Sequence, residues 1–445
     1  MHPQAEAGIV PFYNSEGVLA VFGRFLELAR NPETVNLGQG FPDYPVPSFI
    51  KTCLIETVNE AEINHQYGRP AGALPLCQEY SERYSPKFNR KIDPLTEVLI
   101  CSGATQAFHN FMHAFCTKGD EGIFFSPFFA YFISPVEAAG VTLRFVSILE
   151  NGKLSFSKEE FEKAFTAKTK FVMLNSPSNP TGKVFTREEL EYICDFMKRE
   201  YPHVILLSDD VYSDIIFPGS EFTQIASLPD MWCRTLTLLS FGKTFGCTGW
   251  RIGAAIGPAP LIRAMAAVQT QSTYCTTTLT VLAAAKAMKI ARTQEYLSYP
   301  NYFEYMRAAF TERRNRIISV LSKSEAGLRV LPSEGGYFVL LYIRDVCEGK
   351  LPLKYFYKDY ATNPDRPQGV LQKFEDWLQL EDIDFSPDYA FCFYWAVEKR
   401  IVMWPISGFL SQYTLPPKSR TQVEYVRVAL CKSEESITKL EKLLG

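Results

Sequence analysis

The residues most able to do chemistry stand in one stretch, Ser240-Phe241-Gly242-Lys243-Thr244-Phe245-Gly246-Cys247-Thr248-Gly249-Trp250-Arg251-Ile252-Gly253. It follows a run that reads as a buried strand, and its lysine is flanked by apolar and small residues. A desolvated lysine has a lowered pKa, and its neutral amine attacks carbonyl carbon, so Lys243 is a Schiff-base candidate. The plainer reading is a loop lysine in water. Gly242-Lys243-Thr244 also resembles the end of a phosphate-binding P-loop, but that motif needs glycine five residues before Gly242, where Thr237 stands. A nucleoside triphosphate site is therefore unsupported.

Three further stretches lie at the ends of apolar runs. Asn175 to Gly182 (NSPSNPTG) follows Phe171–Leu174, and Ser208 to Tyr212 (SDDVY) follows Val204–Leu207. Ser102 to Ala107 (SGATQA) joins a strand to a helix, where free N–H groups and the positive helix end would receive a phosphate. Singly, each is a common cap or turn. Arg427 lies in Val426-Arg427-Val428-Ala429-Leu430, which otherwise reads as a buried strand. A guanidinium there is costly unless it meets an anion: a bound carboxylate matching its planar fork, or an internal salt bridge. His109 and His113 have the spacing of metal ligands on a helix. No Glu follows His109 and the helix alternates with packed aromatics, so they read as structural histidines and no metal is expected.

Alternating elements must position these groups. Thr96 to Ser102 is a short β-rich run, and Thr105 to Lys118 has helical spacing at Phe108, Phe111, Met112 and Phe115. Apolar runs follow at 122–125, 141–146, 171–174, 204–207 and 235–239, with helical segments such as 186–198 between several of them. This predicts right-handed βαβ units and a mostly parallel sheet flanked by helices, an α/β fold with ligands at the carboxyl ends of strands. Beyond about Tyr299 a long helical stretch, 302–322, leads to alternating 337–343. An irregular region around 345–389 and the runs 401–404 and 425–431 follow. These read as a smaller α+β domain. The boundaries expected are 1–50 for an N-terminal arm with part of the small domain, 51–300 for the large domain and 301–445 for the small one. The loop-like Asn36 to Phe49 would cross the cleft between them.

With 46 Lys+Arg against 49 Asp+Glu, the net charge is -3, which offers no footprint for nucleic acid or an anionic membrane surface. The sequence has no apolar run long enough to cross a membrane and starts without a basic and apolar leader, so a cytoplasmic location is expected. The 11 cysteines are scattered singly without C-x-x-C, and read as reduced, mostly packed thiols.

Taken together and in this order, S-x-x-K before G-x-R-x-G, N-P-x-G upstream and D-x-x-Y between, the chain resembles the class I/II aminotransferases of the fold type I pyridoxal-phosphate enzymes. The likeness runs from Asn36 to about Ser433. Asn36 to Asp43 (NLGQGFPD), Ser126 to Phe129 (SPFF) and Tyr425 to Val428 (YVRV) resemble the kynurenine and glutamine transaminase branch. The resemblance implies that Lys243 holds pyridoxal 5'-phosphate as a Schiff base and then serves as the proton-moving base. It implies that Asp209 rather than Asp210 meets the pyridine nitrogen, that Asn179 and Tyr212 bond the 3-oxygen, and that Phe129 stacks on the ring. The phosphate would rest on the turn Gly103, Ala104, Thr105 and Gln106, with Ser240 and Arg251 adding donors. Tyr67 would reach the phosphate of a neighbouring subunit, implying a homodimer with shared sites. Arg427 would grip the substrate carboxylate, with Gly40, Asn179, Phe22 and Tyr274 also at the substrate.

Cys247 replaces a usual aliphatic residue, Tyr274 stands where the branch often has histidine and Phe22 where it has tryptophan. The 345–399 region is longer than in the relatives. The implied activity is transfer of an amino group from an aromatic or otherwise bulky L-amino acid, methionine, glutamine or a kynurenine-like donor to a 2-oxo acid. The aromatic residues Phe22, Tyr131, Tyr274 and Phe409 would wall the pocket. Rival readings are a cysteine-conjugate β-lyase on the same fold, which shares the carbanion and differs in the leaving group, and a non-catalytic cofactor-binding module.

Overall fold

After a short first strand, β1 (Val35–Asn36), the chain lays down β2 (Val98–Cys101), β3 (Glu121–Ser126), β4 (Thr142–Ser147), β5 (Thr169–Asn175), β6 (Ile205–Asp209), β7 (Thr235–Ser240) and β8 (Gly253–Ile256). The structure, a computed structural model, describes residues 18–149, 152–325, 327–410 and 422–445, with side chains from residue 23 onward. The strands β2 to β8 form one seven-stranded sheet in the order β2-β8-β7-β6-β5-β3-β4. β3 to β7 are parallel, and β8 is inserted antiparallel between β7 and β2.

The two-residue period of the strands sorts their side chains onto opposite faces. Phe124, Phe171, Met173 and Leu207 pack with Phe108, Phe111 and Met112 of helix Ala104–Phe115 on one face. Ile123, Val172, Leu174 and Leu206 meet Leu190, Ile193 and Met197 of helix Arg187–Glu200 on the other. Burial on both faces explains the nearly unbroken apolar runs. Helix Arg187–Glu200 starts where Thr186 and Glu189 cap each other's backbone amides in a capping box.

β8 has the sequence GAAI, which lacks the β-branched signature, and it was not among the expected strands. A Cβ on Gly253 would stand 2.5 Å from the amide nitrogen of Ala104, so only glycine lets β8 pass this close to the start of helix Ala104–Phe115.

Four later strands, β9 (Arg329–Val330), β10 (Phe338–Tyr342), β12 (Trp404–Pro405) and β13 (Tyr425–Ala429), form an antiparallel sheet in the order β12-β13-β10-β9, while β11 (Ile401–Val402) pairs in parallel with β1. The segment before residue 50 is thereby tied to the C-terminal part of the chain. Within 345–399 the irregular stretch ends in helix Pro387–Glu398 (PDYAFCFYWAVE), apolar on nearly every side and therefore without helical periodicity in the sequence. It packs on helix Val18–Leu28, with Phe25 and Tyr389 ring centroids 4.8 Å apart and the Arg24 guanidinium 4.0 Å above Phe393. All the cysteines are free, and most are buried. Among the described residues no helix is long and apolar enough to cross a membrane.

Candidate active site

A cavity of about 320 Å3 opens at the carboxyl ends of β5, β6 and β7 and reaches the second sheet at β10, β12 and β13. A wider trough of about 920 Å3 lies between residues 216–220 and helix Tyr302–Ser324. It holds none of the candidate residues, and its cations Arg307 and Arg316 are paired with Glu304 and with Glu434 and Glu441.

Lys243 sits in the short helix Phe241–Phe245, whose first turn is capped by the Ser240 hydroxyl accepting from the Lys243 amide at 3.3 Å. Its Nζ donates to the Gly40 carbonyl at 3.0 Å and lies 5.6 Å and 5.3 Å from the rings of Tyr212 and Tyr337. The Tyr337 hydroxyl donates to the Lys243 carbonyl, anchoring the backbone beneath the amine. Burial pushes the Lys243 amine down to about 8, since a charged ammonium loses its hydration there.

The last residue of β6 is Asp209, and its neighbour Asp210 points elsewhere. Asp210 accepts from Ser208 Oγ and Gln224 Nε2, and burial raises it to about 6. Asp209 lines the cavity, its Oδ1 is buried with no hydrogen-bond partner, and burial next to Asp210 pushes it up to about 7. A buried carboxylate oxygen without a donor is expensive, so this atom is built to meet a protonated group. Tyr212 follows at the same wall, buried, with its hydroxyl held well above the usual phenol range by burial.

Helix Ala104–Phe115 begins at Gly103, which takes φ +84 and gives no side-chain cap. A Cβ there would stand 2.3 Å from Arg251 Nη2, and this nitrogen donates to the Ser102 carbonyl at 3.2 Å. The uncapped turn, with Ala104, Thr105, Ser240 and Arg251 at the cavity wall, has the donors and the positive end suited to a phosphate.

Arg427, in the centre of β13, is 2% exposed. Its Nη1 donates to Asn179 Oδ1 at 2.8 Å and its Nη2 to the Gly38 carbonyl at 2.6 Å, while its Nε is buried without a partner. Among the described residues no carboxylate pairs with it, so the internal salt bridge is absent. Burial pushes it down to about 9, far below an ordinary guanidinium. Because Asn179 Oδ1 faces Arg427, the two amide hydrogens on Asn179 remain to serve an oxygen in the cavity.

The Asn36–Phe49 loop does bridge the two sheets, through Gly40 on Lys243 and Gly38 on Arg427. The 345–399 region reaches the site at second hand. Buried Asp388 accepts from the Ser407 amide at 2.7 Å and so holds the turn Ile406–Phe409, which seats Phe409 beside Arg427. Tyr131 lines the cavity and stacks on Phe129 at 5.0 Å.

Several expected residues are not at this wall. Gln106 folds back: its Oε1 accepts from the Ser102 amide at 2.6 Å, its Nε2 donates to Thr273 Oγ1 at 2.9 Å, and its backbone amide donates to the Gly103 carbonyl at 3.1 Å. Tyr67 is 84% and Tyr274 45% exposed, and their rings meet edge to face at 5.3 Å on the outer surface. The side chain of Phe22 lies outside the described residues. Cys247 is packed in the core. His109 and His113 face each other at 3.1 Å on the partly exposed side of their helix, away from the cavity, and no cluster of three metal-binding side chains occurs among the described residues. Conversely, the sequence reading missed Trp404, Phe338 and Tyr337, which carried no signal beyond membership of apolar runs.

The pattern of the family described as aminotransferase class I and II matches residues 32–358. Kynurenine–oxoglutarate transaminase of Dictyostelium discoideum is 35% identical over 335 residues, 72% of this chain and 75% of that protein. Human kynurenine–oxoglutarate transaminase 1 is 31% identical over 431 residues, 94% of either chain. Among solved structures, the aromatic aminotransferase of Pyrococcus horikoshii superposes with a TM-score of 0.74 at 27% identity, covering 95% of this chain and 97% of that one. A buried lysine, an aspartate with an unpartnered buried oxygen, an uncapped helix start and a buried arginine around one cavity fit that kinship, and the chain belongs to the class I and II aminotransferases, pyridoxal-phosphate enzymes of fold type I that carry amino groups from amino acids to 2-oxo acids.

Proposed function

We propose that the amino donor is an aromatic or otherwise bulky uncharged L-amino acid, with methionine, glutamine and kynurenine-like donors in the same class. The wall around Arg427 carries this reading. Tyr131, Phe338, Trp404 and Phe409 surround the guanidinium or line the adjoining space, and the only other cations at the cavity wall among the described residues are Lys243 and Arg251. Apolar walls favour large side chains through area removed from water, about 25 cal/mol per Å2, whereas a second carboxylate needs a second cation.

In this reading pyridoxal phosphate would be held by Ala104, Thr105, Ser240 and Arg251 at its phosphate, by Asp209 at its ring nitrogen, by Asn179 and Tyr212 at its ring oxygen, and by Phe129 and Lys243. When bound it supplies a sink for the electron pair left at the substrate Cα. Asp209, whose buried Oδ1 has no partner, would meet a ring N–H and be kept ionised by it. Arg427 orients the substrate by its α-carboxylate. Lys243 accepts the Cα proton on Nζ and returns it, and an amine poised near 8 is suited to both directions at neutral pH. The exposed Tyr67–Tyr274 pair supports a homodimer in which this surface completes the partner's site. The test is kcat/KM for phenylalanine, methionine, glutamine, kynurenine and aspartate with a common 2-oxo acid. A preference for aspartate refutes the donor class. Release of ammonia and pyruvate from a cysteine conjugate without need of a 2-oxo acid, faster than any transamination, would favour the lyase.

A further inference from the structure

We infer that Trp404 is a specificity-determining residue for the amino donor, a role that rests on the donor class proposed above and assigns it to one side chain. In the antiparallel pair β12–β13, Trp404 stands directly opposite Arg427. Directly opposed residues project to the same face, and both line the cavity. The indole is pinned: a Cβ on Gly38 would stand 2.4 Å from its Cδ1 and 2.5 Å from its Nε1, so the ring lies against bare backbone. The Arg427 guanidinium carbon is 4.0 Å from the Phe338 ring, 4.5 Å from Phe409 and 4.9 Å from Trp404, so three rings box the cation. They are not equivalent. Phe338 and Phe409 are 1% and 2% exposed, while Trp404, which like Phe338 lines the cavity, is only half-buried and so keeps more surface there.

A donor whose carboxylate is on Arg427 and whose Cα is within reach of Lys243 has two points fixed. Its side chain then lies against what remains of the wall, where Trp404 offers a flat, rigid, apolar face. An aromatic side chain buries area there, a methyl group is too short to reach it, and a carboxylate meets the electron-rich face of an indole.

The test uses the holoenzyme and the variants Trp404→Leu and Trp404→Phe. It compares kcat/KM for phenylalanine and alanine, and calorimetric affinity for 3-phenylpropionate and propionate, which carry the carboxylate with and without a ring and have no amine. Trp404→Leu should lower kcat/KM for phenylalanine and affinity for 3-phenylpropionate about tenfold, with alanine and propionate changed less than about threefold. An equal loss for all four shows a ring that only supports Arg427, and overturns the inference. Should Trp404→Leu fail to fold, Trp404→Phe decides: the smaller ring should shift the tryptophan-to-phenylalanine ratio of kcat/KM upward about threefold, and an unchanged ratio overturns the inference. A wild-type preference for aspartate would instead refute the donor class and leave the contribution of Trp404 to be read from the two acids.

Discussion

Replacing Arg427 by leucine separates binding chemistry from fold stability. The guanidinium is 2% exposed, makes hydrogen bonds of 2.8 Å to Asn179 and 2.6 Å to the Gly38 carbonyl, and has a buried Nε with no partner. If it receives the α-carboxylate, its loss removes one half of a buried, hydrogen-bonded charge pair, worth about 2 to 5 kcal/mol. At about 1.4 kcal/mol per decade, kcat/KM should fall roughly 30- to 4,000-fold. Donor and 2-oxo acid share the carboxylate, so both half-reactions should fall alike. Stability should behave differently. Leucine removes a charge that folding strips of water, which favours the variant, and strands the two acceptors, which costs about 1 to 3 kcal/mol each. These offset, and the melting temperature should stay within a few degrees. Arg427→Lys should recover only part of the activity, because an ammonium lacks the planar fork. The assay is single-turnover kinetics in each direction, with a melting curve and a cofactor titration. A collapse of stability in Arg427→Leu, or a loss confined to one half-reaction, refutes the assignment.

Two other outcomes follow from the same geometry. In the cofactor-free protein, burial holds the Lys243 amine at about 8 against an ordinary 10.5, so the unfolded chain binds more protons between these values and stability rises with pH across the window. Lys243→Met should therefore melt higher than wild type below pH 8, with the advantage shrinking toward pH 10.5; a difference independent of pH would count against a buried ammonium. Gly103→Ala places a Cβ 2.3 Å from Arg251 Nη2 at φ +84, a strain of about 1 to 2 kcal/mol. Affinity for pyridoxal phosphate should fall about tenfold and affinity for pyridoxal little; an equal loss of both would remove the phosphate from this turn.

Lys243, Asp209 and Asn179 were legible in the sequence because each ends or follows a strand of a doubly covered sheet, where chain order and a two-residue period decide which side chain reaches the carboxyl edge. Asp209 against Asp210 is the clearest instance: alternation points one carboxylate into the cavity and the other at Ser208 and Gln224. Arg427 was legible because a charge in an apolar strand demands a partner. The β8 strand was not, since GAAI carries no propensity and owes its place to close backbone approach. Helix Pro387–Glu398 was hidden by being apolar all round. Gln106 lies beside the expected turn yet spends its side chain on Ser102 and Thr273, a contact that depends on packing 167 residues away in the chain. Trp404 had no local signal, because its place at the cavity comes from its register opposite Arg427 in β13, which the sequence pattern does not show.

Gly38, Gln39 and Gly40 turn three consecutive carbonyl oxygens onto three cations, Arg427, Lys432 and Lys243. At Arg427 and Lys243 these oxygens hold the cations that the proposed chemistry would recruit. A carboxylate received at Arg427 would exchange with the Gly38 carbonyl at Nη2 or take up the Nε that has no partner. An ionised carboxylate forms a hydrogen bond roughly twice as strong as a neutral carbonyl does, and wins the exchange. An amide or ester offers only a neutral oxygen of the same kind and would gain less. With the α-carboxylate at Arg427, a preference for a free amino acid over its amide, its ester or an internal peptide residue would follow in part from a stretch of backbone that has no side chain at either glycine.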